Sequence, residues 1–175
     1  MDTPAPSSRS LGEADAIGYL GTALVAAFVM CWHWELAQTP AFRNLAHLSW
    51  ARIVGRDLVA ACGDVGMILF GYWIGVVWTE NKRWPWPGSV KTYAFLAALG
   101  FVFSVVAERL ALRYGRSTYS ELMPLIPGLG VGALPVLQLT VLAPLAFAFA
   151  NARQHRKDKP HLAQPIAGDH TTETF

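Results

Sequence analysis

The sequence predicts an all-α membrane protein, a bundle of four transmembrane helices with a Pro/Gly-rich extended or re-entrant segment before the fourth. Three observations lead there. The 175-residue chain is 53% apolar and only 15% charged, too little charge to coat a soluble domain of this size. Its apolar residues fall into four long runs without the period-two alternation of barrel strands, and in a bilayer only helices and closed barrels satisfy their own backbone. Seven Trp, nine Phe and five Tyr suit the headgroup belts of a membrane.

The elements follow in order. Residues 1–16 are polar and rich in Pro, Ser and Ala, so a disordered tail is expected there. They do not resemble a secretory signal, because the first apolar run starts late and is not preceded by a basic stretch. That run, 17–37, is long enough at ~1.5 Å per residue to cross a ~30 Å hydrocarbon layer. The second spans 53–79, the third 91–112 and the fourth 129–152, with connections at 38–52, 80–90 and 113–128. The membrane domain is thus 17–153, and 154–175 reads as a second disordered tail. "RWPWPG" at 83–88 breaks any helix and sets two indoles at an interface. Gly71 and Gly75, four apart, offer a face for close packing. Pro135 and Pro144 are expected to bend the fourth helix.

Four spans put both termini on one side. Lys82, Arg83 and Lys91 flank the second connection, and Arg153, Arg156, Lys157 and Lys159 follow the last span. Retained basic residues favour the cytoplasm, which places both termini inside, although Arg43, Arg52, Arg56, Arg109, Arg113 and Arg116 make the bias a modest one.

In that topology the ionisable residues gather toward the outer half of the bundle. His33 and Glu35 end the first span, Arg52, Arg56 and Asp57 begin the second, Glu108, Arg109 and Arg113 end the third, and Gln138 lies in the fourth. Asp64 is the deepest, ~18 Å along the helix axis from Arg52. A charge at the bilayer centre costs ~2.5–3.5 kcal/mol even on insertion scales, so Asp64 has to face the bundle and be either paired or uncharged. Asp57 and Asp64, seven apart, share a helix face. Asp64 and Glu108 are therefore the candidate acid and base, with Arg56, Asp57, Arg109, Arg113, Tyr119 and Gln138 as candidate binding residues. Plainer roles stand beside these. The arginines reach headgroups, Asp57 favours the positive end of its helix, and Glu108 forms a structural ion pair with Arg109 or Arg56. His33 and Glu35 lie about 200° apart on a helix, which argues against a shared metal, and Cys31 and Cys62 read as free thiols within apolar runs.

The stretch "YSELMPLIPGLGVGALPVLQ", 119–138, is the second distinctive feature. Its prolines stop a helix. Its glycines lack the preceding strand and the G-x-G-x-x-G spacing of a nucleotide loop. Irregular backbone at membrane depth is tolerated only against protein or a watery cavity, so a cavity beside Asp64, Glu108 and Gln138 is expected, with Tyr119 and Glu121 on its rim. The glycine-rich helix start, with free N–H groups, is a candidate anion holder.

Gly63-Asp64, Glu108, Arg116, Tyr119, Met123-Pro124, Pro127-Gly128, Gly132, Pro135 and Gln138, in that order, resemble a set of small four-span bacterial membrane proteins of unassigned function. The likeness covers about 50–145. It departs at Ser117, where those proteins often carry an aromatic residue. It implies only a polar set that belongs together, and no activity, substrate or cofactor; the expected location is the bacterial cytoplasmic (inner) membrane.

Three functions fit. The first is binding of, or acid/base chemistry on, a lipid-like or isoprenoid molecule held between the helices, with membrane lipids as its partners. The second is an accessory or assembly subunit of a larger membrane complex. The third is a small proton-coupled carrier, which with four spans would need a homodimer. The net charge of +2 gives no reason to expect nucleic acid. The absence of H-E-x-x-H, P-loop and nucleophile-elbow patterns gives none to expect a metal, nucleotide or other cofactor.

Overall fold

The computed structural model describes residues 8–158, so the parts of the expected tails at 1–7 and 159–175 lie outside the described residues. The helices are α1 (Ser8–Gln38), α2 (Trp50–Thr79), α3 (Val90–Arg113) and α4 (Ala133–Asp158), with single 3-10 turns at Thr39–Ala41 and Arg43–Leu45. Each helix contains a stretch long and apolar enough to cross a membrane: Ala16–Ala41 (running on into the first turn), Trp50–Thr79, Val90–Arg113 and Ala133–Arg156. No strand occurs among the described residues.

Helix limits follow local chemistry. Ser49 and Ser89, both extended, precede α2 and α3, and the Ser89 hydroxyl accepts from Thr92 N at 3.1 Å. α1 begins at Ser8, ahead of the apolar run at 17, since extending a helix needs no apolar side chain. α4 begins at Ala133 and not at 129, because Gly128 and Gly130 take positive φ (79° and 65°) and turn the chain first. Pro135 consequently lies in the first turn of α4, where no N–H bond is owed, and Pro144 alone is interior.

α4 is the central element. In its most apolar stretch 44% of the residues are buried, against 17–28% in the other three. It packs on both α1 and α3, and α1 packs on α2. The core is built from small residues on facing helices, Ala23, Ala27 and Cys31 on α1 with Ala143, Ala146 and Ala150 on α4, closed by Tyr19, Tyr72, Leu139 and Phe147. Small residues let backbones approach where lipid offers no hydrophobic drive for helix association. Gly100 of α3 shows this most plainly: a methyl group there would run into the Leu139 carbonyl of α4.

The two ends of the bundle differ. At the end carrying 80–89, Trp84 folds back on α2, donates from its indole to Tyr72 O at 3.0 Å, and fills the space beside Gly75. The Trp86 ring lies 4.3 Å from that of His155 at a tilt of 41°, and Asn151 donates to Pro85 O. Gly71 faces Leu99 and Phe103 of α3, so of the two glycines it is the one that meets a helix.

At the opposite end the connections 38–49 and 114–132 are knitted into a cap. Arg43 N donates to Thr118 O at 2.8 Å, Ser120 N to Ala41 O at 2.9 Å, and Asn44 to Arg116 O at 3.1 Å. Met123 is buried against Phe42, Ala41 and Leu45.

Candidate functional site

Beneath this cap lies a cavity of about 350 Å³. Each helix contributes a stripe at helical spacing. α1 brings Glu35 and Gln38, α2 brings Arg56, Ala60, Gly63, Asp64 and Met67, and α3 brings Ser104, Ala107, Glu108 and Ala111. α4 adds Pro135, Gln138 and Leu139, and the connection adds Arg116 and Ser117. The site exists because α2 and α3 part company. Their contacts sit toward the 80–89 end, at Gly71 with Leu99, Phe70 with Phe103 and Trp78 with Phe95. Nearer the cap the cavity separates them. Val59 and Gly63 line it and are also exposed, so it reaches the α2/α3 surface of the bundle.

Gln138 is the hub of the polar wall. Its Oε1 accepts from Gln38 Nε2 at 3.0 Å, and its own Nε2 donates to Asp64 Oδ2 at 2.5 Å. The first bond orients the amide so that its N–H faces the carboxyl group. Glu108 is held separately: Gly132 N donates to the Tyr119 oxygen at 2.8 Å, and Tyr119 donates its own proton to Glu108 Oε2 at 2.5 Å. Burial, then the bond to Glu108, raises the Tyr119 phenol above its ordinary pKa, which keeps it a donor.

Arg56 anchors the remaining acids. Its Nη1 lies 2.7 Å from Asp57 Oδ1 and 3.9 Å from Glu35 Oε2, with the guanidinium 5.6 Å from the Phe42 ring centre. The Thr39 hydroxyl lies 3.2 Å from Asp57 Oδ2 and 3.0 Å from Glu35 O, and donates to one at a time.

Of the residues singled out in the sequence, Asp64, Glu108, Arg56 and Gln138 line one cavity. The other four stand outside its wall. Asp57 is fully buried behind it, paired with Arg56. Tyr119 backs Glu108. Arg109 donates to Leu129 O at 3.2 Å and ties down the segment before α4. Arg113 is exposed. Glu121 is exposed and is not part of the wall. Glu108 meets a phenol and not the arginine partner expected for a structural ion pair.

At the start of α4, where an anion holder was expected, three N–H groups are engaged within the chain. Gly130 N donates to Ile126 O, Ala133 N to Pro124 O and Gly132 N to Tyr119, so these N–H groups are spent within the chain.

Gln38 is the wall residue that sequence reasoning passed over. Its signal was present: Cys31, Glu35 and Gln38 stand at i, i+4 and i+7, a polar continuation of a buried face. His33 points elsewhere, its Nδ1 2.7 Å from Val29 O. Among the described residues no three His, Cys, Asp or Glu side chains converge as a metal site.

Three carboxyl groups line the site: Glu35 lies near Arg56, while Asp64 and Glu108 are each met by one hydrogen-bond donor and stand beside an apolar wall of Val59, Ala60, Met67, Ala107 and Leu139. Such a pair can give and take protons at different atoms of one bound molecule. Comparison of the chain with protein-family models, with curated proteins and with solved structures returned no match.

Proposed function

We propose that this chain is a polytopic protein of a bacterial cytoplasmic membrane that binds a lipid-like or isoprenoid molecule between α2 and α3. Its termini are cytoplasmic, and its capped end and cavity lie in the outer half of the bilayer. Asp64 and Glu108 act on the bound molecule as acid and base, one giving a proton and the other removing one. The observation that supports this reading is a single cavity that gathers Asp64, Glu108, Glu35 and Gln138 and reaches the α2/α3 surface beside exposed Val59. In a bilayer that surface faces acyl chains, so a tail can lie along it while its polar end enters. Intramembrane acids are costly enough that function is the usual reason for them.

Adding a membrane lipid extract to detergent-purified protein is expected to raise the Tm of wild type and to raise that of Asp64→Asn much less. Equal shifts in both would remove the ligand from this site.

A second reading, an accessory subunit, is favoured by one observation. On the same surface of α2, Gly55, Gly63 and Gly66 have no atom within 4 Å of the place a Cβ would take, which leaves room for a partner helix. Cys62 is exposed there and Cys31 is buried, so a thiol crosslinker applied to native membranes addresses Cys62 selectively. A crosslinked product of higher mass supports the partner helix. Fully modified Cys62 with no adduct to another polypeptide dismisses it.

A further inference from the structure

We infer that the polar end of the ligand is a primary ammonium placed close to an anionic group, as in a phosphoethanolamine head. This rests on the ligand site proposed above and specifies what enters it.

The first ground is an imbalance between acceptors and donors. Asp64 is met by Gln138, and Glu108 by Tyr119, one donor each. The ion pairs at this end both belong to Arg56, with Asp57 and Glu35, and neither reaches Asp64 or Glu108. Gln38 lines the cavity and is 5% exposed, and its Oε1 is buried with no hydrogen-bond partner. Ser104, 3% exposed, also lines the cavity with its hydroxyl unpartnered. Buried polar atoms are ordinarily satisfied, and these two residues of the cavity wall each keep an oxygen that is not. Carboxylate and amide oxygens accept only, and a carboxyl group that keeps its proton still has an oxygen left to accept. A group that answers Asp64 and Glu108 together must supply several N–H or O–H donors, and a positive charge on it offsets whichever of the two acids is ionised in a poorly hydrated space. A primary ammonium has three donors and that charge. A trimethylammonium keeps the charge without the donors, and a glycerol head has donors without the charge.

The second ground is the rim. Arg116, on the connection above α3, lines the cavity and is exposed, and Arg56, paired with Asp57 and Glu35, lines it from α2. Guanidinium groups hold phosphate oxygens in charge-assisted pairs. An exposed arginine thus stands at the edge of a cavity whose acids are less exposed, which matches an ammonium carried on a phosphate. The tail leaves past Val59 and Gly63.

The test uses wild-type protein in detergent and a graded set of probes, with binding read by native mass spectrometry and by Tm. The set is phosphatidylethanolamine, its mono-, di- and trimethylated forms, phosphatidylglycerol, and soluble glycerophosphoethanolamine. The loss of charge-assisted hydrogen bonds predicts a preference of about tenfold or more for phosphatidylethanolamine over the trimethylated lipid and over phosphatidylglycerol, falling stepwise with each methyl group. Glu108→Gln and Asp64→Asn should each flatten that preference. Arg116→Gln should weaken all phosphate-bearing probes alike. Tight binding of the soluble compound also supports the ammonium head and assigns it a water-borne source. Equal binding of all headgroups that still depends on Asp64 overturns the ammonium and leaves the lipid site standing. No lipid bound by wild type overturns both. Because the methylation series needs no variant, a misfolded mutant does not block the answer.

Discussion

Arg56→Met is expected to cost about 3 kcal/mol of stability, near the low end of the ~3–5 kcal/mol seen when one partner of a buried ion pair is removed. Asp57 has no exposed surface, and its carboxylate is met by Arg56 Nη1 at 2.7 Å and by the Thr39 hydroxyl at 3.2 Å. Methionine preserves the apolar length of the side chain and deletes the charge, so Asp57 becomes a buried anion with one neutral donor. The Arg56 side chain is 33% exposed, and water already screens part of the pair, which sets the loss low in the range. The contact with Phe42 adds ~0.5–1 kcal/mol to it. Asp57→Asn placed on Arg56→Met should restore most of the loss, since an uncharged amide still accepts from Thr39. A double-mutant cycle, read as Tm in one detergent, measures this directly. An Arg56→Met protein as stable as wild type, or a double variant no better than the single one, would show that the pair is not what holds this end of α2.

The same pair shows what a sequence can and cannot reveal. The cost of an intramembrane acid was enough to turn Asp64 inward, and helical spacing was enough to place Glu108 and Gln138 at similar depth. Asp57 shares a face with Asp64, and from spacing it read as a binding residue. Its immediate neighbour takes it instead. Adjacent helical residues do not ordinarily face each other, yet the arginine side chain is long enough to fold across.

The cap was illegible for a different reason. The bonds of Arg43 with Thr118 and of Asn44 with Arg116 join residues more than seventy positions apart, and no local pattern announces them. Tyr119 was placed on the rim because its segment was expected there. The bridge between Phe42 and Tyr119 fixes that segment instead, and the phenol comes to lie behind Glu108. Gln38 was passed over because a glutamine at a helix end is commonplace until a facing glutamine gives it a purpose.

Gln138→Leu is expected to lower stability by about 2–4 kcal/mol and to abolish the ligand dependence on Asp64. Gln138 is 2% exposed and makes both bonds of the relay. Interhelical hydrogen bonds between neutral groups in membranes average only ~0.6 kcal/mol, because a chain unfolded within the bilayer finds other partners, so the bond to Gln38 is the smaller loss. The bond to Asp64 is the larger, at ~1.5–3 kcal/mol if the carboxyl is charged. Leucine has a similar volume, which leaves little for a cavity term. Adding Gln38→Leu should return a few tenths of a kcal/mol by removing the orphaned amide, and adding Asp64→Asn should return more. That order separates the two bonds without any ligand present. If Gln38→Leu gave the larger recovery, the hub would be serving α1–α4 packing and Asp64 would not depend on it. If Asp64→Asn gave the larger recovery and Gln138→Leu still bound lipid as wild type does, Gln138 would be holding the acid for stability alone, and orienting it toward the bound molecule would fall to other residues.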